Sequence, residues 1–300
     1  MRKAFAKSVL DLAAQDDKVV VLIGDISHFL LREFEEQYPD RFYNVGICEQ
    51  AIVGMAAGLA MEGYRPIVHT IAPFCVERAY EQIKVDLCYQ NLDVTIISVG
   101  ASLDYAHLGC THHCYEDVSI LRPLPNIDIF VPGSSSEYKK LLEDSWANGR
   151  PKYFKLNKTQ HKQKFEVAAY ECNVLSHGLR GAIFVNGHLL QEVCEVPHYR
   201  DYTIVYCPTV EPISEASKQI MGGIMKNHNN VLVVEENSSS GAFADKVADV
   251  AFEQNLRVRI KKLGIPRSFC LDYGSAAEHR IALGFTSKNI EQALGEFVHV

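Results

Sequence analysis

The chain has 300 residues, 47% of them hydrophobic, with a formal net charge of −7 and a pI near 5.9. The length suggests about two domains, and the acidic balance argues against nucleic acid or an anionic membrane surface as the main partner. No apolar run approaches the ~18 residues of a membrane span. Met1–Lys7 followed by Asp11, Asp16 and Asp17 has no signal-peptide pattern, and nine scattered cysteines suit a reducing cytoplasm better than a disulfide framework.

In chain order, Val19–Ile23 is β-branched, ends at Gly24-Asp25 and reads as a buried strand. Further strands are expected at Phe42–Val45, Pro66–Thr70, Val94–Val99, Ile127–Val131 and Tyr153–Leu156. Helices are expected between them at Glu49–Met61, Glu77–Tyr89 and Ser134–Trp146. This alternation predicts a parallel sheet with helices on both faces. The polar, basic stretch Asn157–Lys164 breaks the pattern and reads as the start of an interdomain linker. Beyond it, strands are expected at Ala182–Asn186, Thr203–Tyr206, Val231–Glu235 and Val258–Leu263, with helices at Leu189–Glu195, Ile213–Asn227 and Ala242–Gln254. The expected fold is α/β, with two doubly wound parallel-sheet domains. Residues 1–160 form the first, 161–172 the linker, and 173–300 a smaller second domain.

Two segments stand out chemically. Helix 49–61 carries Ala51, Gly54, Ala56, Ala57, Gly58 and Ala60. Each glycine costs roughly 1 kcal/mol against alanine in a helix, so a pair of them suggests close approach of another backbone or a cofactor. Glu49 would begin this helix, where a carboxylate also meets the favourable end of the helix dipole. The loop Tyr105–Cys114 is dense in histidine and cysteine, but Cys110, His112, His113 and Cys114 are too crowded to close a zinc tetrahedron. No metal ligands are expected. Taken alone, Phe74 reads as a core phenylalanine at a helix start.

The string Asp40–Ala51, continued by Gly58–Val68, resembles the segment of thiamine-diphosphate enzymes that ends in the glutamate facing the cofactor's aminopyrimidine. It is similar to transketolase and 1-deoxyxylulose-5-phosphate synthase, and more distantly to 2-oxoacid dehydrogenase β subunits. The resemblance implies that Glu49 is the catalytic carboxyl group on the pyrimidine nitrogen, letting the cofactor deprotonate itself. Burial in an apolar subunit interface would keep it a proton donor. Ala72–Ile83 resembles the next block, which implies that Phe74 packs on the ring and Ile71 lines the same pocket. Asp25 matches an aspartate that approaches the cofactor. The Gly109-x-Thr111-His112 pattern implies that His112 meets a sugar hydroxyl or developing alkoxide, with His107 and His113 as neighbours. Arg2 matches a phosphate-binding arginine and Lys158 lies near a second one. Arg78 either forms a structural ion pair or approaches the substrate channel.

Three positions depart from the family. Leu108 replaces an aspartate four residues before His112, Gly100 stands where transketolases place a phosphate-contacting histidine, and Phe29 falls where a phosphate-facing serine is expected. The anion pocket is thus partly dismantled. The Gly-Asp-Gly segment that holds the diphosphate through Mg²⁺ is missing from these residues. The resemblance therefore implies a partner subunit that carries it, in an α2β2 heterotetramer. Val231–Asn237, Gly241–Phe243, Leu263–Pro266 and Tyr273–Ser275 resemble the family's C-terminal domain, to which no site residue is assigned. The expected activity is transfer of a two-carbon ketol unit between sugar-type substrates by the β-type subunit of a split transketolase. The alternatives are a carboligase or synthase using a 2-oxo acid such as pyruvate, which Leu108 would suit, and a non-catalytic partner subunit.

Overall fold

Strand β1 (Val19–Ile23) is buried along its whole length, as a parallel strand covered on both faces must be. The computed structural model describes residues 1–298. Around β1 the first half of the chain runs α1 (Arg2–Gln15), β1, α2 (His28–Gln37), β2 (Phe42–Asn44), α3 (Glu49–Met61), β3 (Arg65–Ile71), α4 (Ala72–Val76) and α5 (Tyr80–Gln82). A π-helical turn (Ile83–Cys88) follows, then β4 (Thr95–Val99), α6 (Asp117–Leu121), β5 (Asp128–Phe130), α7 (Ser135–Ser145) and β6 (Lys152–Leu156). Residues 157–172 contain neither helix nor strand. The second half contains β7 (Asn173–Ser176), β8 (Ala182–Val185), α8 (Leu190–Cys194), β9 (Thr203–Tyr206), β10 (Thr209–Glu211), α9 (Glu215–Asn227) and β11 (Asn230–Ser238). It closes with α10 (Phe243–Glu253), β12 (Arg259–Ile265), α11 (Ala276–Ala282) and α12 (Ser287–Val298).

The first sheet has the order β10-β5-β6-β4-β3-β1-β2, and the second β12-β11-β8-β9-β7. Both are parallel except at one edge: β10 is antiparallel to β5, and β7 to β9. These two edge strands are too short to leave a periodic signal, and they were not expected. β10 lies beyond the connecting segment yet completes the first sheet. The single helix expected over Glu77–Tyr89 is instead broken into α4, α5 and the π-turn. It starts earlier, at Ala72, because Pro73 fits a first helical turn, where its missing N–H costs nothing.

The segment expected as a linker is pinned down. Gln160 Oε1 accepts from the Ser135 backbone N–H at 2.7 Å, and His161 is buried with Nε2 2.6 Å from Glu137 Oε1. Buried Lys155 of β6 donates to Asp117 Oδ1 and to Asn237 Oδ1, each at 2.7 Å, tying the first sheet to α6 and to β11. Among the described residues no helix is long and apolar enough to cross a membrane.

Candidate active site

In a doubly wound sheet, ligands gather outside the carboxyl ends of the strands, where neighbouring connections diverge. β1 pairs with β2 on one side and β3 on the other, so the divergence lies there. Most residues singled out in the sequence fall on that rim, whereas His113 is buried against Tyr115 and His279. Asp25 follows β1, Glu49 follows β2, Ile71 ends β3 and Phe74 follows it, His107 and His112 follow β4, and Lys158 follows β6. Arg2 opens α1, which runs back against β1 and so starts at the same end.

Glu49 is the first residue of α3 and is only 2% exposed. Its Oε2 accepts from Arg78 Nη1 at 2.7 Å. A guanidinium therefore faces this carboxyl group, where apolar surroundings were expected. The Arg78 guanidinium carbon also lies 4.4 Å from the Phe74 ring centre, and Phe74 meets His112 edge-on at 5.2 Å. Glu49, Arg78, Phe74 and His112 thus form one continuous row. His112 Nδ1 is 2.9 Å from Thr111 Oγ1. Burial, and secondly the nearby His107, lower the pKa of His112 below its ordinary value, which favours neutral imidazole.

A second row is cationic. Arg2 Nη2 donates to Ser27 Oγ at 2.9 Å and Nη1 approaches the Tyr105 hydroxyl at 3.5 Å. The Lys158 ammonium stands 4.0 Å from the Tyr105 ring centre and donates to the Asp104 carbonyl at 3.0 Å. Ile71 lies between the rows, its Cγ2 3.2 Å from where a Cβ on Gly100 would stand. Asp25 is tied to the end of β2: at φ 57 its N–H donates to Asn44 Oδ1 at 3.1 Å, and its carboxylate accepts from Asn44 Nδ2 at 3.2 Å. Leu108 and Phe29 are both exposed. The hydroxyl at the rim belongs to Ser27, two residues before Phe29.

Sequence reasoning missed Ser27, Tyr105 and His69. His69 is fully buried in β3 and stacked on Phe5 at 4.0 Å. Its Nδ1 is 2.7 Å from the Ile97 carbonyl, which can only accept, so Nδ1 carries the proton. Nε2 therefore accepts from the Ser27 hydroxyl at 2.8 Å, and Ser27 Oγ in turn receives Arg2. The available signal was a lone histidine inside the apolar strand Pro66–Ile71.

Burial lowers the His69 pKa from 6.5 to about 3. The unfolded chain binds a proton there below pH 6.5, whereas the folded chain does so only near pH 3. This contribution to stability is complete above that window and is lost as the pH falls through it. His69→Asn should reduce the acid loss of stability by up to about 1.4 kcal/mol per pH unit. Denaturant titrations between pH 7 and 4 measure this, and parallel slopes in the two proteins would count against a neutral His69.

The second half of the chain also reaches this rim. A Cβ on Gly109 would lie 2.7 Å from Tyr273 Cε1, so that ring rests on the histidine loop. Ser238 N–H donates to the Tyr115 carbonyl at 2.7 Å and Ser102 Oγ to the Glu236 carbonyl at 2.5 Å. Arg280 pairs with Glu236 and lies 3.8 Å from Asp104 Oδ1. Burial raises the Asp104 pKa to about 6, with Glu236 adding to the effect.

The residues present fit an aminopyrimidine ring. Glu49 Oε1 has no protein hydrogen-bond partner among the described residues, and Phe74 offers an aromatic face in the same row. No set of three His, Cys, Asp or Glu side chains among the described residues is gathered to hold a metal ion.

Residues 1–163 match the family model for the transketolase pyrimidine binding domain. The chain is 30% identical to an apulose-4-phosphate transketolase subunit of Actinobacillus succinogenes, over 83% of this chain and 82% of that protein. It is 29% identical to 1-deoxy-D-xylulose-5-phosphate synthase of Histophilus somni, spanning 98% of this chain but 48% of the synthase. Among solved structures, a split gene transketolase in an inactive β4 tetramer superposes with a TM-score of 0.85 at 26% identity, covering 98% of this chain and 96% of that one.

Proposed function

The chain belongs to the transketolase pyrimidine-binding family, and from that premise we infer that it is the β-type subunit of a cytoplasmic two-chain transferase moving a two-carbon ketol unit between sugar-type substrates. The observation that carries this reading is the buried carboxyl of Glu49 at the start of α3, in one row with Phe74 and His112.

When bound, thiamine diphosphate supplies the carbon nucleophile that accepts the ketol unit. Glu49 would hold a proton at the ring nitrogen of the aminopyrimidine, and Phe74 and Ile71 would pack against that ring. Asp25 stands at the same edge. Arg78 is 38% exposed at its side chain, so it can leave the Glu49 carboxyl for solvent or substrate. His112, kept neutral, would donate to the substrate oxygen on which charge develops, with His107 beside it. Arg2 and Lys158 would take the far, anionic end of the sugar.

Mg²⁺ and the diphosphate are assigned in this reading to an N-terminal-half subunit carrying a Gly-Asp-Gly segment, in an α2β2 heterotetramer, a reading supported by the likeness to a transketolase subunit and to a split gene transketolase. The surface it would cover is open along α3. Ile47 is 71% exposed, Met55 and Met61 are exposed, and so are Val85 and Tyr89 in and just after the neighbouring π-helical turn. A Cβ on Gly58 would meet nothing within 4 Å, and one on Gly54 only Asp86 at 3.9 Å. No close neighbour among the described residues requires a glycine at either position, which suits the close approach of another backbone.

Co-purification with the N-terminal-half subunit, followed by a donor screen with thiamine diphosphate and Mg²⁺, tests the reading. Turnover is expected with hydroxypyruvate or a ketose phosphate. Turnover with pyruvate alone would favour the carboligase reading, to which the exposed Leu108 beside His107 lends itself. No turnover with any donor in a well-assembled complex would leave a non-catalytic partner role.

A further inference from the structure

Tyr105 is the side chain on which the two rows converge. A Cβ at position 100 would lie 2.1 Å from Cε2 and 2.3 Å from Cδ2 of its ring, and Gly100 has φ +71. Only glycine suits that backbone at that distance, so the missing side chain at position 100 is what seats the tyrosine. Its hydroxyl is 3.5 Å from Arg2 Nη1, and the Lys158 ammonium lies 4.0 Å from its ring centre. The rings of His112 and His107 approach it edge-on at 6.1 and 6.2 Å. The ring therefore stands between the reacting corner of Glu49, Phe74 and His112 and the cationic corner of Arg2 and Lys158. Ser27 and neutral His69 hold the opposite side of the Arg2 guanidinium.

We propose that Tyr105 is a substrate-contacting specificity residue, whose ring limits the length of sugar chain accepted and whose hydroxyl, with Arg2, grips the anionic end. This rests on the transferase reading above. An aromatic wall backed by glycine sets a fixed span between His112 and the two cations. A sugar phosphate or acidic sugar is selected by whether its charged group reaches Arg2 and Lys158 while its carbonyl lies at His112.

The test compares the wild type, Tyr105→Phe and Tyr105→Ala, each assembled with the partner subunit, thiamine diphosphate and Mg²⁺. Glyceraldehyde 3-phosphate, erythrose 4-phosphate and ribose 5-phosphate serve as acceptors. Tyr105→Phe should raise KM for every phosphorylated acceptor about three- to tenfold and leave kcat near wild type, the size of one lost hydrogen bond. Tyr105→Ala should shift the kcat/KM ratio about tenfold towards the longest acceptor. An equal loss for all acceptors in Tyr105→Ala, or no change in either variant, would overturn the proposal. If the wild-type complex is silent with every donor and acceptor, the transferase reading falls, and calorimetric titration with ribose 5-phosphate then decides. Binding weakened several-fold in Tyr105→Phe supports the tyrosine's role, and unchanged binding refutes it.

Discussion

Glu49→Gln is expected to lower turnover of the assembled enzyme by roughly 10²–10⁴-fold, the usual worth of a positioned acid–base group. Glutamine keeps the length and hydrogen-bonding reach of the side chain but cannot exchange a proton with the aminopyrimidine. Glu49→Ala removes the contact altogether and should be no better. Folding is expected to survive both changes. The partner of this carboxyl is Arg78, itself 38% exposed and able to turn to water, so the substitution does not strand a deeply buried charge. Near-normal melting temperature and partner binding, with turnover lost, is the expected pattern. Wild-type turnover in Glu49→Ala would end the mechanistic reading, whatever the fate of the fold.

The second large effect concerns assembly. Gly58→Leu adds a side chain where the chain has only open space, and it replaces a poor helix former with a good one, worth about 0.8–1 kcal/mol. The isolated subunit should therefore become slightly more stable. The same side chain would stand on the surface assigned to the partner, between Met55 and Met61, and should prevent the close approach that two helix glycines permit. Sedimentation of an equimolar mixture should show the heteromer lost, and turnover should fall more than tenfold at any practical partner concentration. An intact heteromer with full activity would mean that the partner docks elsewhere.

Much of the architecture was legible. The bounds of α3, Glu49–Met61, and of β9, Thr203–Tyr206, match those expected from the sequence, because both are short apolar runs with clear stops. Glu49, Phe74, His112, Arg2 and Lys158 do share one rim, because each follows or precedes an element that ends there. What the sequence could not convey was partnership. Periodicity reports which side chains are buried, not what they touch. Arg2 and Tyr105 meet across 103 positions, and Ser27 and His69 across 42. The position of the family's serine after the first strand falls on Phe29, which is 81% exposed. The hydroxyl at the rim is that of Ser27, whose left-handed backbone at φ 63 turns the chain into α2. The Arg78 ion pair and the ring of Tyr273 on Gly109 were hidden for the same reason.

The placement of β10 has a consequence for how such a chain can be divided. Thr209–Glu211 closes the first sheet from beyond the stretch that looks like a hinge. A cut within 157–172 would strip β5 of its outer neighbour and part Lys155 from Asn237, exposing an unpaired strand edge of the kind that invites aggregation. The stretch suggested by composition as a boundary is therefore spanned by a strand pairing and a buried hydrogen bond. The smallest piece that keeps the first sheet whole when exchanged between enzymes of this kind must include Glu211.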